Sequence, residues 1–403
     1  MSLLARLCPQ PPWFGIDWAA IERVIDRDAM AATPQGAEYH AEGDVWIHTG
    51  MVCEALIAMP GWRSLDADAR AIVFAGALLH DVGKPACTRH EPDGRISSRG
   101  HSGRGEVLAR QLLWGAGVPF GAREHVCALV RHHQVPFFLV DSEPAVAQQT
   151  LARLSLVTRC DWLALVAEAD ARGRRCRDSR DQGRILDNTA LFVELAREEG
   201  ALDRPRRFPT DHTRFVYLRA GEPARRSPDV IAHDDTRCEV VVMSGLPAAG
   251  KDAWLARHGR GMPVIGLDAL REELDVDAAE GQGRVIAAAR ERARELLRGG
   301  QSFAWNATNL GRPLRATLID LLVGYAARVH LVYVEVPAGV QAERNRARAE
   351  PVPRAAIERM LQRWSPPAPS EAHRVTYAID DGGGDGGDGR GGADAASGPP
   401  WPP

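Results

Sequence analysis

Residues 238–252 read CEVVVMSGLPAAGKD. The opening CEVVVMS is rich in valine and mostly apolar, which suits a strand buried in a sheet. The next stretch, Gly245 to Lys251, has the spacing GxxxxGK, and a helical pattern follows. Glycines there let the backbone curl so that successive N–H groups point inward, and the helix N-terminus adds positive potential. Lys251 is placed to reach the β- and γ-phosphates of a nucleotide, so ATP is the expected ligand, with Gly245 and Gly250 shaping the loop. The next position, which normally carries a Ser or Thr hydroxyl for Mg²⁺, is Asp252. A carboxylate can hold Mg²⁺ but sets negative charge beside the phosphates. The motif therefore supports nucleotide binding better than rapid turnover.

The pattern continues outward in both directions. PVIGL, SFAWN and VHLVYVEV read as strands, separated by helical stretches over 279–299 and 311–325. Strand–helix alternation predicts an α/β domain with a parallel sheet over 238–380. Residues 381–403 are Gly-, Asp- and Pro-rich and are expected to be disordered. Upstream, segments 45–58, 68–81, 103–115, 121–131 and 145–170 carry apolar residues at helical spacing. They predict an all-α domain over 1–200. Residues 201–237, broken by Pro, Arg and Asp, are expected to be an irregular linker.

A length of 403 residues fits this two-domain division. The formal net charge of −3 excludes a global basic field for duplex nucleic acid, so any such contact is local. Seven scattered cysteines without a CxxC pair exclude a zinc ribbon and argue against a disulfide scaffold, making a reducing cytoplasm the default. No apolar run approaches the roughly 18 residues that span a membrane, and the N-terminus does not read as a secretory signal. Of 50 basic residues only two are lysines, Lys84 and Lys251, and each sits inside a motif.

Downstream of the loop, Asp268 and Arg271 lie one helical turn apart. A carboxylate there can take the proton of an acceptor hydroxyl, and an arginine can grip an acceptor phosphate. Arg344 and Arg348 have the spacing of a helical lid over a transferring phosphate, or of a solvated charged face. In combination, GLPAAGK, Asp268-x-x-Arg271, Trp305-Asn-Ala-Thr308-Asn309 and Arg344-Asn345-x-x-Arg348 resemble the 5′-hydroxyl polynucleotide kinases of end-healing systems. The resemblance implies that Lys251 contacts phosphates, Asp268 is the general base, Arg271 holds the acceptor's adjacent phosphate and Arg348 is the lid arginine. Thr308 and Asn309 match that family's Thr-Asn pair, while Asp252 departs from its pattern.

The first third carries a second motif set: His48, His80-Asp81 closing an apolar helix, His101, His132-His133 and Asp170. Mixed imidazole and carboxylate donors suit Mn²⁺, Fe²⁺, Co²⁺, Ni²⁺ or Zn²⁺, which lower the pKa of bound water and neutralise phosphate charge. The ordered set resembles the HD-domain phosphohydrolases over about 40–175, most closely those attached to bacterial tRNA nucleotidyltransferases and to HD-type polynucleotide kinases. That resemblance implies a first metal on His48, His80, Asp81 and Asp170, and a second on His101 and His133 bridged by Asp81. It favours His133 over His132 and puts Lys84 on the scissile phosphate. His40 matches the family's leading segment without a role, and His125 is expected at the surface.

Together the two halves resemble the bifunctional bacterial HD-polynucleotide kinases. The implied substrates are RNA or DNA ends: one domain removes a 2′,3′-cyclic or terminal phosphate, the other phosphorylates a 5′-hydroxyl. Two competing readings are a nucleotide hydrolase fused to a small-molecule kinase, and an RNA-binding regulator whose loop senses ATP. Oligomeric state is not legible in the sequence.

Overall fold

The computed structural model describes residues 2–222, 226–259, 261–276 and 281–380. The tail expected over 381–403 lies outside them. The chain divides into two compact units, with the boundary between Arg207 and Phe208.

The first unit is helical. Its main helices are α1 (Val45–Ala58), α2 (Ala67–Leu79), α3 (His101–Gly115), α4 (Phe120–His132), α5 (Cys160–Gly173) and α6 (Ser179–Glu198). Asp44 and Asp66 start α1 and α2 by accepting hydrogen bonds from Ile47 N and Ala69 N, the usual service of an acidic N-cap. Every residue of α2 from Ala71 to Leu79 is buried, which explains its unbroken apolar run. Val52, Leu56, Phe74, Leu129, Leu163 and Val166 are among the fully buried residues of the core. His80 caps the C-terminus of α2 and His133 that of α4.

Two details differ from the sequence reading. The stretch 145–170 is two helices, Pro144–Ser155 and Cys160–Gly173. Leu154 O accepts from both Val157 N and Thr158 N, closing the first helix, and Arg159 then turns extended. A short antiparallel hairpin pairs Arg89–His90 with Ile96–Ser97. Its turn contains Asp93-Gly94, with Gly94 at φ +83, a recognisable hairpin signal.

The second unit is a five-stranded parallel sheet with helices, as the alternation predicted. It opens with α7 (Asp211–Arg219), inside the stretch read as linker. Phe215, Tyr217 and Leu218 are buried there, enough apolar surface to hold a helix against the unit despite the flanking prolines. Then come β1 (Cys238–Ser244), α8 (Lys251–His258), β2 (Val264–Gly266), α9 (Leu267–Glu273) and α10 (Gln282–Arg298). They are followed by β3 (Phe303–Asn306), α11 (Arg312–Val323), β4 (Ala327–Glu335), α12 (Ala338–Arg346), α13 (Arg354–Leu361) and β5 (Arg374–Ile379).

The strand order is β2-β3-β1-β4-β5. From β1 the chain leaves toward β2, and from β4 it leaves toward β5, so the two connections diverge from adjacent strands. In open parallel sheets ligands bind at that divergence, beyond the strands' carboxyl ends. The GxxxxGK loop occupies that place.

Gly173 sets how closely α5 approaches α1: a Cβ there would fall 2.6 Å from both N and Cα of Val52. Gly173→Ala is expected to lower the unfolding midpoint through a loss of about 1–3 kcal/mol, the usual range for overpacking. Gly183→Ala in α6, where a Cβ meets nothing within 4 Å, should be neutral or slightly stabilising. Thermal unfolding of the two variants against the parent chain checks the difference.

Candidate functional site

The helix ends of the first unit bring six titratable side chains to one buried point. His48 Nε2 lies 3.2 Å from Asp170 Oδ1 and 3.4 Å from His80 Nε2. Asp81 Oδ2 is 3.1 Å from His80 Nε2, while its Oδ1 is 3.3 Å from His101 Nε2 and 3.9 Å from His133 Nε2. All six residues are buried. Among these six, two sets of donor atoms are close enough to share an ion, His48, His80 and Asp170, and Asp81, His101 and His133; a third set, His40, Glu42 and His48, adjoins them. His133 belongs to the cluster, whereas half-buried His132 does not.

The orientation of the imidazoles decides what the cluster can hold. Nδ1–H of His80 donates to Ala77 O, that of His101 to Ser98 O, and that of His133 to Val130 O, each three residues earlier. His48 Nδ1 faces Glu42 Oε1 at 2.8 Å. The three carbonyl contacts fix the proton on Nδ1 and leave Nε2 as a lone pair pointing inward, and the carboxylate beside His48 favours the same tautomer there although it is not a well-directed hydrogen bond. His48 and His80 then oppose lone pairs at 3.4 Å, and His101 and His133 at 3.5 Å. Such pairs repel unless a proton or a cation stands between them. Neither oxygen of Asp81 accepts a well-directed hydrogen bond, although Lys84 Nζ is 2.6 Å from Oδ2. The donor set thus fits divalent cations.

Electrostatics agree with that fit. Burial pushes the Asp81 carboxyl up, but His80 and Lys84 beside it hold it well below the usual carboxylate range. Burial likewise opposes ionisation of Asp170, yet Arg174 and His48 keep it anionic. Burial lowers His133 to about 3, keeping it neutral. At His80 burial is outweighed by Asp81, which raises its pKa and draws a proton as it would draw a cation.

Three partners were missed in the sequence. Gln35 accepts from Lys84 Nζ at 2.6 Å. Glu42 also pairs with His40, 2.9 Å from its Nδ1, so His40 and His48 share one carboxylate. Arg174 NH2 lies 2.5 Å from Asp170 Oδ1. The i,i+4 spacing of Asp170 and Arg174 was the available signal. His125, expected at the surface, is buried against Trp162, because α4 turns that face inward with Val126 and Leu129.

In the second unit, Gly245 takes φ +149 and Gly250 φ +104, and a Cβ on Gly245 would fall 2.4 Å from Val334 O of β4. Lys251 Nζ donates into the loop, to Gly245 O and Leu246 O. Burial lowers its pKa to about 8, against the pull of Asp252 and Asp268 and with a push from Arg348. Asp268 and Arg348 are therefore within electrostatic reach of the loop lysine. Asp252 Oδ1 accepts from Asn306 Nδ2 at 2.6 Å. Thr308 O accepts from Gly245 N, and Asn309 Nδ2 donates to Met243 O, so this pair braces the loop.

The strand read as PVIGL stops one residue early, at Gly266, and Asp268 follows it in the first turn of α9, where Arg271 NH1 pairs with it at 2.6 Å. Arg344 and Arg348 were read on one helix. Arg344 is on α12 and pairs with Asp380 at 3.5 Å, but the helix ends at Arg346. The Asn345 side chain bonds both Val352 O and Val352 N, which folds the chain back and leaves Arg348 in a turn.

Residues 240–367 match the protein family described as AAA domain. They contain the loop and the residues discussed around it except Asp380. The second unit carries a kinase-like P-loop domain. Among curated proteins, the chain is similar to the multifunctional CCA protein of Laribacter hongkongensis, 32% identical over 201 residues that cover 49% of this chain and 47% of the relative. It is also similar to the multifunctional CCA protein of Ralstonia nicotianae, 29% identical over 175 residues, 41% of this chain and 37% of the relative. The chain thus spans less than half the length of the curated relatives it matches. A solved structure of a presumed kinase from Chloroflexus aurantiacus is 18% identical, with a TM-score of 0.30, over 36% of this chain and 89% of its own. No helix among the described residues is long and apolar enough to cross a membrane.

Two outcomes follow from this geometry. Removing the carboxylate that orients His48, in Glu42→Ala, should weaken divalent-metal affinity about 10–100-fold, as loss of such an orienting partner typically does. Direct titration with Mn²⁺ or Ni²⁺ checks it. Lys251, half neutral at about pH 8 in the free loop, should regain its proton when phosphates bind beside it. ATP binding is expected to take up about half a proton at pH 8 and almost none at pH 6.5. Calorimetry in two buffers of different ionisation enthalpy measures this uptake, and Lys251→Met should abolish it.

Proposed function

We propose that the chain is a two-site nucleic-acid end-processing enzyme, an HD-type phosphohydrolase joined to a 5′-hydroxyl polynucleotide kinase. The observation that carries the reading is the presence in one chain of two side-chain and loop arrangements suited to phosphate. One is a buried imidazole–carboxylate cluster flanked by Lys84 and Arg174. The other is a nucleotide loop whose lysine feels Asp268 and Arg348. Breakage of RNA by ribonucleases leaves a 2′,3′-cyclic phosphate and a 5′-hydroxyl, and one such site serves each end.

In the first unit, His48, His80, Asp170 and Asp81, with His101 and His133, would hold divalent metal ions. Those ions would supply an activated water and neutralise phosphate charge. The protein's own part is to orient the donors through Ala77, Ser98, Val130 and Glu42. Lys84 and Arg174 then offer cationic donors to the phosphate while remaining tethered to Asp81 and Asp170. In the second unit, Gly245 to Lys251 would cradle the β- and γ-phosphates of ATP. Asp268 would accept the 5′-hydroxyl proton once Arg271 swings from it to the acceptor's neighbouring phosphate. Mg²⁺ would sit beside Asp252, whose carboxylate must then be shared with Asn306.

An ATP-sensing loop is the competing reading, and Asp252 is what favours it. The decisive substrate is an oligoribonucleotide with a 5′-hydroxyl and a 2′,3′-cyclic phosphate, given with ATP and Mn²⁺. Asp81→Ala should abolish processing of the 3′ end and leave 5′ phosphorylation. Asp268→Asn should slow 5′ phosphorylation about 10²–10⁴-fold, the usual weight of a general base, with ATP binding and 3′ processing kept. Unaltered phosphorylation in Asp268→Asn rejects the kinase assignment of that residue. Activity confined to mononucleotides rejects the end-processing reading.

A further inference from the structure

Beside the Asp81 cluster opens a cavity of 470 Å³, a size typical of small-ligand sites. Its lining changes character from the buried end to the rim. Lys84, His101 and Arg174 are buried next to the cluster. Ile96, Ile185 and Phe137 add apolar wall. Phe138, 55% exposed, and Tyr39, 38% exposed, present aromatic surface to solvent. Arg99 and Arg184 are exposed, and neither has a carboxylate within ion-pair distance among the described residues.

The phosphohydrolase chemistry needs only the buried end. It leaves four outer residues unexplained. Phe138 is not loose: it follows Phe137, a fully buried ring that carries the Arg174 guanidinium 5.0 Å above it. The Phe138 ring meets the Phe137 ring edge-on at 6.0 Å. The open aromatic face is thus fixed to the same small structure that positions Arg174. Arg184 acts on Tyr39, as do the carboxylates of Glu38 and Asp181, so the rim carries both signs there, and Arg99 adds a further guanidinium to the lining.

The ligand that satisfies every part has a phosphate at one end, a flat apolar body next to it, and a further negative charge beyond. That is the terminal nucleotide of a strand with its neighbouring phosphodiester. A sugar phosphate would leave Phe138 bare, and a mononucleotide would leave Arg99 and Arg184 idle. We propose that this cavity is a terminal-nucleotide subsite, in which the last base stacks on Phe138 beside Tyr39 and the adjoining phosphodiester is held by Arg99 and Arg184. The proposal rests on the reading of the Asp81 cluster as a phosphohydrolase acting on nucleic-acid 3′ ends. Stacking on an aromatic ring is indifferent to base identity, so the subsite accepts any terminal base.

Three substrates test it on the Mn²⁺-loaded full chain: a 3′-phosphorylated oligoribonucleotide, a 2′,3′-cyclic mononucleotide, and glycerol 2-phosphate, which has no ring. Phe138→Ala should lower kcat/KM for both nucleotide substrates, relative to glycerol 2-phosphate, by about 5- to 150-fold, the equivalent of one lost base stack. Phe138→Tyr should restore it. Arg99→Ala combined with Arg184→Ala should penalise the oligonucleotide relative to the mononucleotide and flatten its salt dependence by up to about 0.7 log units per contact removed. Equal losses on all three substrates, or no change in either ratio, overturn the subsite. A wild-type enzyme that turns over glycerol 2-phosphate as well as the nucleotides overturns it too, while the phosphohydrolase stands. If wild type cleaves none of the three, the phosphohydrolase reading fails, and binding decides the subsite alone. Fluorescence anisotropy with a 5′-fluorescein, 3′-phosphorylated oligonucleotide, whose blocked 5′ end the kinase-like unit cannot use, should then show weaker binding by Phe138→Ala. Unchanged anisotropy overturns the subsite.

Discussion

The Asp81 carboxylate is the group around which the helical unit is arranged. It is 1% exposed, anionic, and stands at the end of a helix with no polar residue between Ala71 and Leu79. An ion in such a place costs several kcal/mol unless other charges and donors surround it. Its compensation comes from His48 on α1, His80 at the end of α2, Lys84 after it, His101 on α3 and His133 at the end of α4. Four helices therefore have to meet at one point for the charge to be tolerated. The close α1–α5 approach at Gly173 serves the same end, because α5 brings Asp170 to the other side of His48.

In the function proposed above, the second unit would meet a phosphate by a different route. Its loop uses backbone groups, curled by glycine, at the divergence point of a sheet, and adds one ammonium. The first unit uses side chains on helix ends. The backbone solution is compact in sequence, seven residues from Gly245 to Lys251. The side-chain solution is spread from His48 to Arg174, since each helix end contributes one or two groups.

That difference governs what was legible beforehand. The glycine-rich loop, four of the five strands and the helices between them follow from local pattern. The strand Arg374–Ile379 escaped notice because it is short, partly exposed and follows an irregular stretch. The helix Asp211–Arg219 was hidden by flanking Pro and Arg, although Phe215, Tyr217 and Leu218 anchor it. In the helical unit the histidines and aspartates could be named from motif order, and the structure brings them together. Their supporting partners could not: Gln35 and Glu42 lie in irregular chain with no periodic signal, and His125 looked like one polar residue among many on α4. Packing from other helices decides those cases, and a linear pattern does not contain it.

The two lysines have a practical meaning for anyone handling this protein. With 48 of 50 basic residues arginine, a reagent that acylates lysine amines has one side-chain target in each unit. Lys84 is buried and tied to Asp81 and Gln35, so it stays unlabelled while the helical cluster is intact. Lys251 is less buried than Lys84, and with its pKa lowered to about 8 by burial it carries a neutral fraction in mildly alkaline buffer, open to label once it leaves the Gly245 and Leu246 carbonyls. The ratio of label at the two positions therefore works as a built-in gauge: one reads the integrity of the helical unit, the other the occupancy of the loop, in a single mass spectrum.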